Sequence, residues 1–174
     1  MSALAAAFLE PLPDEQRHSF QALPGLPEAL AHLWQKVEAA WPGRPLTEAP
    51  AFFSFLAAHM PEGLRFPPDL QPLHAEDLFH VHLLSLGDAA SGRLLHERHQ
   101  SVVLGALARQ GVAPPQAADI WQQLCNRLLA TDGGRYSGRG PLRAWLCVSA
   151  LRLGAQQAQR RAREVTLSES VLSE

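Results

Sequence analysis

The sequence predicts an all-α protein, a compact helical bundle with an extra helical N-terminal unit. Three observations carry that expectation. Leu, Ala and Gln are abundant and β-branched residues are few, which favours helix over strand. Apolar residues recur at helical spacing in several segments. Pro and Gly clusters interrupt those segments where turns between helices are needed. The 174 residues suffice for one sizeable core or two small ones.

Residues 1–70 read as the N-terminal unit. MSALAAAFLEPLP lacks a basic flank and breaks at Pro11, so it is not read as a signal peptide. In GLPEALAHLWQKVEAAW, Leu26, Leu30, Leu33, Val37 and Trp41 recur at helical spacing, and Trp34 widens that apolar face. WPGRPLTEAP (41–50) and PEGLRFPPDLQP (61–72) read as loops, with AFFSFLAAHM between them as a short buried helix.

Residues 73–164 read as a second helical domain, followed by a short tail over 165–174. HAEDLFHVHLLSLG forms one helix stopped by Gly87, and Asp88 caps the next. That next helix offers Leu94, Leu95, Val102, Leu104 and Leu107 to the core and breaks over Gly111–Pro115. PPQAADIWQQLCNRLLAT places Ile120, Leu124 and Leu128 on one stripe with Trp121 alongside, and Asp132-Gly133-Gly134 ends it. The last helix starts at Pro141, a favoured first-turn residue, and buries Leu142, Trp145, Leu146, Ser149 and Leu153.

The formal charge of −2 conceals an asymmetry. Residues 1–90 carry 4 Lys+Arg against 11 Asp+Glu, whereas residues 91–164 carry 11 Arg against 4 acids. Arg, unlike Lys, makes forked contacts to phosphates, carboxylates and guanine edges. A solvated helix face is the plain alternative for such charges. No run of about 18 apolar residues exists, so no membrane span is expected. Cys125 and Cys147 sit in helical apolar patterns and read as reduced thiols of a cytoplasmic protein.

YSGRGPLRAW (136–145) lacks the Gly-Lys-Ser/Thr ending of a phosphate-binding P-loop and follows no strand. Its glycines allow a sharp turn into a helix. That helix start, flanked by Arg135, Arg139 and Arg143, has the donors to hold a backbone phosphate, and an ordinary interhelical turn is the alternative. The eight histidines show no zinc spacing, and no nucleophile motif accompanies Ser, His and Asp. Glu76-Asp77 reads as charge at a helix start. Neither an enzyme nor a metal or other cofactor is expected. The final helix differs, because its apolar half gives way to GAQQAQRRARE, whose Gln and Arg suit adenine edges, guanine edges and phosphates.

ADIWQQLCNRLL, then YSGRGPLRAWL, then a basic helix resembles region 2 of bacterial RNA polymerase sigma factors, of the myxobacterial sigma-factor-like type. The resemblance covers roughly residues 73–164. It implies that the helix with Asp119, Gln122 and Arg127 docks on the β′ subunit of core RNA polymerase. It implies that the final helix and its preceding turn face the −10 element of promoter DNA, with Arg139, Arg143, Arg160 and Arg161 near DNA. Trp145 matches a structural tryptophan. The sequence departs from the family where an Ile-Ala-Arg-Asn-like run and a later Asp are usual. Here SALRLGAQQAQRR puts Arg152 and Gln156 at those positions, which implies an altered sequence preference. The resemblance does not extend to the family's second domain, whose helix-turn-helix reads the −35 element. A region-2-like interaction module binding an anti-sigma-type regulator or polymerase, without reading a promoter, is the alternative expectation. The acidic N-terminal half would then serve as a docking surface or cover the basic helix.

Overall fold

The structure is a computed structural model that describes residues 2–60, 70–130 and 136–172, with side chains described as far as Thr166. The expected loop over 61–72 therefore falls largely outside the described residues, as do Asp132-Gly133-Gly134 and Arg135. Eight α-helices make up the fold among the described residues, with one 3-10 turn at Leu46–Glu48 and no strand. They are α1 (Ala3–Leu9), α2 (Asp14–Gln21), α3 (Leu26–Ala40), α4 (Ala49–Ala58), α5 (Ala75–Ser85), α6 (Ala89–Arg109), α7 (Pro114–Leu129) and α8 (Leu142–Leu172). The protein is thus all-α, arranged as a helical bundle.

α5 lies at the centre. Its residues Leu78 to Leu84 are all buried, as suits a helix with apolar residues on every side, and His80 and His82 are buried among them. α3 and α4 pack on it from one side, α6 and α7 from another. Phe79 is fully buried and meets Trp34, Trp41 and Phe52 at centroid distances of 5.7, 5.9 and 5.4 Å, mostly edge to face, as aromatic quadrupoles prefer. The Trp41 indole N–H donates to the Glu76 carbonyl at 3.1 Å. Lys36 donates to the carbonyls of Gln71 and Leu73. The N-terminal helices and the rest of the chain share one continuous hydrophobic core running from Ala5 to Leu153.

Local chemistry explains the helix ends. Gly87 (φ +76°) and Gly111 (φ +77°) each occupy the left-handed position after a helix, where a side chain would clash with the backbone. At the first, Gly87 N–H donates to Leu84 and Asp88 N–H to Leu83; at the second, Gly111 N–H donates to Ala108 and Val112 N–H to Leu107. Both are Schellman closures that satisfy the last carbonyls of α5 and α6. Asp88 caps α6 as expected, its carboxylate accepting the Ser91 N–H at 2.7 Å. The Arg17 guanidinium donates to the carbonyls of Leu9, Glu10 and Leu12, tying α2 to the end of α1.

Several expected core positions shift. On α6 the buried residues are Ser91, Leu95, Val103, Ala106 and Leu107, while Leu94, Val102 and Leu104 are only half-buried. This long helix is covered by α5, α7 and α8 in turn, so its inward stripe precesses rather than following one row. On α8 the buried face is Leu142, Leu146, Ala150 and Leu153, with Trp145 and Ser149 half-buried at its edge. The segment expected as a tail is helical through Leu172, because 165–172 (VTLSESVL) holds no Gly or Pro to stop the helix that runs into it. Among the described residues no helix is long and apolar enough to cross a membrane.

Candidate functional site

α7 divides sharply into two faces. Ala117, Ile120, Trp121, Leu124, Cys125 and Leu128 are buried. Asp119, Gln122, Gln123, Asn126 and Arg127 are exposed. The first three and Asn126 recur at three- and four-residue spacing, so they form one row. The Gln122 amide donates to Asn126 Oδ1 at 3.3 Å, which orders the middle of that row. Asp119 forms no ion pair among the described residues and stands as an accessible carboxylate.

α8 begins in a clasp that binds YSGRGP to α5. Gly138 adopts φ +73°, and a Cβ there would fall 2.4 Å from Leu78 Cδ1. Its carbonyl accepts the His74 N–H at 2.9 Å. Tyr136 is buried, donates its hydroxyl to the Gly140 carbonyl at 2.6 Å and meets Trp145 edge to face at 5.9 Å. Burial pushes the Tyr136 phenol far above its ordinary value, with the nearby Asp77 and Glu76 carboxylates adding to the effect. The Asp77 carboxylate accepts the Leu142 N–H at 2.8 Å, capping α8 from a distance of 65 residues in sequence.

That cap takes one donor of the expected phosphate cradle. The first N–H of α8 is already satisfied by a carboxylate, whose charge also opposes an incoming anion. Glu76-Asp77 likewise does more than charge its own helix start, because Asp77 serves α8. No local signal in the sequence links Asp77 to Leu142.

The arginines fall into separate groups. Arg139 is exposed within the clasp loop. Arg152, Gln156 and Arg160 are exposed and follow four-residue steps on α8, with Arg163 completing the row. Arg143 lies nine positions before Arg152, about two and a half turns, so it faces the other side of the helix. It contributes positive potential at His99 of α6, whose pKa is lowered chiefly by burial. Arg161 is also turned aside, donating to Gln116 Oε1 at 3.1 Å. Gln116 in turn donates to Gln157 at 3.2 Å, joining the start of α7 to α8 one turn before Asp119. The structure therefore brings Arg152, Gln156 and Arg160 together and directs Arg143 and Arg161 elsewhere. Beyond Gly154 the described residues of α8 are exposed or half-buried, and the helix projects past the bundle.

Among the described residues the acidic N-terminal half does not cover this basic row. α8 packs chiefly on α6 and α7, and among the described residues no ion pair joins it to α1–α4. Of the histidines, His80 and His82 are buried, whereas His18, His32 and His96 are exposed. His80 Nε2 pairs with the Ser91 carbonyl at 2.9 Å, and His96 Nδ1 accepts the Trp121 N–H at 3.0 Å. His74, Glu76 and Asp77 bring ligand atoms within 4.8 Å of one another, but Asp77 already holds α8 and His74 Nδ1 pairs with Glu76 at 3.3 Å. Cys125 is buried, which pushes its thiol up to about 11, and Cys147 is half-buried; both are free. No family model, curated protein or solved structure matches the chain.

Proposed function

We propose that this chain is a sigma-factor-like transcription initiation protein of the cytoplasm, docking on core RNA polymerase through α7 and contacting promoter DNA with α8. The observation that carries the reading is a pair of exposed faces of opposite character on adjacent helices. α7 offers an unpaired Asp119 beside Gln122, and α8 offers Arg152, Gln156, Arg160 and Arg163 on a projecting helix. The clasp through Asp77 and Gly138 anchors the start of α8 on α5. A single accessible acid among amides suits a basic group on a protein surface, and an Arg/Gln row suits phosphates and base edges.

The test is association with purified core polymerase. Asp119→Arg is expected to abolish a pull-down that the parent chain supports; absence of any association for the parent ends the proposal. Electrophoretic shift on promoter DNA with polymerase tests the other half. Replacing Arg152, Arg160 and Arg163 by Ala is expected to flatten the dependence of log K on log salt by about 2–3. An unchanged slope removes the assigned DNA contact.

A second reading is favoured by the division of the arginines over two sides of α8. In it the same bundle binds polymerase, or an anti-sigma-type regulator, without reading a promoter. Retained polymerase binding with no DNA shift selects this reading.

A further inference from the structure

A groove of about 420 Å³ opens between the α6–α7 turn and the outer side of α8. Leu107 and Val112 form one wall, and Leu151, Ala155 and Ala158 form the other. Gly154 lies between them, where a Cβ would sit 3.6 Å from both Leu107 and Val112, so the helix approaches the turn closely.

The α8 wall belongs to a longer pattern. Ala144, Val148, Leu151, Ala155, Ala158, Ala162 and Val165 follow alternating four- and three-residue steps along the side opposite Leu142, Leu146 and Leu153. That alternation is the seam of a two-helix coiled coil, and all of it but Leu151, which packs partly against the core, is exposed. Leu151 is half-buried, while Val148 and Val165 are 46% and 57% exposed.

Charge identifies the occupant. Every charged residue over 107–116 and 151–163, the segments that line the groove, is an arginine: Arg109, Arg152, Arg160, Arg161 and Arg163. A second copy of α8 would bring the same charges against themselves. Gln110 and Gln116 also line the groove; a nucleic acid would match the arginines and these amides but would set phosphates against Val112, Leu151, Ala155 and Ala158. We propose that this groove is the docking site for an amphipathic helix of another protein, apolar at its seam and acidic at the flanking positions. The helix lies along α8 with its seam on Leu151, Ala155 and Ala158 and its acids beside Arg152 and Arg161. The site shares Arg152 with the row assigned above to promoter DNA, but its apolar wall of Leu151, Ala155 and Ala158 has no part in that reading.

A synthetic three-heptad peptide with Leu and Ala at the seam and Glu at the flanks provides the probe, with a Lys-flanked counterpart as control. Fluorescence anisotropy against the full chain is expected to show binding of the acidic peptide, and at least tenfold weaker binding of the basic one. Ala158→Arg gives the decisive arm. It adds positive charge, so it strengthens purely electrostatic attraction, yet it fills the groove. The proposal expects at least a tenfold loss, with Ala155→Arg behaving alike. Ala158 is exposed, and unchanged circular dichroism verifies the fold of each variant. Equal binding of both peptides, no binding of either, or Ala158→Arg binding as well as the parent overturns the site. So does sedimentation showing a parent dimer that Ala158→Arg dissociates, because the occupant is then a second copy. A short DNA duplex that binds the parent and loses affinity tenfold with Ala158→Arg also overturns it, in favour of nucleic acid.

Discussion

α5 and the outer half of α8 are both helical, yet they are stabilised in opposite ways. α5 spends its length inside the core, with seven consecutive buried residues and aromatic rings on several sides. α8 past Gly154 is mostly exposed, tied to α7 through Gln157 and Arg161 on Gln116, and its helicity rests chiefly on Ala, Gln and Arg propensities and continuity with the packed half. The difference teaches where this molecule can change. Substitutions on α5 alter the fold, and substitutions on distal α8 alter only what the protein meets.

The largest effect should come from Phe79→Ala. It removes a fully buried ring from among Trp34, Trp41 and Phe52, and chemical denaturation is expected to record a loss of about 3–5 kcal/mol. A loss below about 1 kcal/mol would mean that α5 is not the keystone described.

Acid should act on the same helix. His82 is buried between Phe52 and Phe55, with His59 nearby, and burial followed by the His59 charge lowers it to about 4. His80 and His99 are lowered too, again chiefly by burial. The unfolded chain takes up these protons first, so stability is complete above about pH 6.5 and falls as the pH drops towards 4. For His82 alone the loss is roughly 3 kcal/mol by that point. Denaturant midpoints measured from pH 7 to 4 check this, and His82→Phe should flatten the curve.

Gly138→Ala tests the clasp that joins the two regions. The new Cβ would occupy a positive φ and press on Leu78, itself buried, at an expected cost of about 2–4 kcal/mol. A variant as stable as the parent would show that the loop before α8 is not held against α5.

The smallest effect belongs to distal α8. Arg160→Ala and Arg163→Ala should leave stability within about 0.5 kcal/mol, as measured by denaturation, because both side chains are exposed. A larger loss would show that the projecting helix has a packing partner.

Part of this was readable in one dimension. The α-class, the helices around Leu30, Leu78, Ile120 and Leu146, the terminators Gly87 and Gly111 and the Asp88 cap all follow from patterns within a few residues. The exposed faces of α7 and α8 were readable for the same reason, since helical periodicity assigns sides. The α6 core positions were not, because the neighbours that cover α6 change along its length. The Asp77 cap was invisible, being a contact between distant segments.

By itself, the sequence determined local matters: which segments are helical, where they stop, and which side of each is apolar. These depend on propensity, capping and periodicity, which act over one or two turns. Tertiary structure alone decided that α5 is enclosed and that Asp77 and Gly138 anchor α8. It alone set Arg161 on Gln116 of α7 and left a groove beside Ala155 and Ala158. Those outcomes depend on which helices become neighbours, and packing sets that across the whole chain.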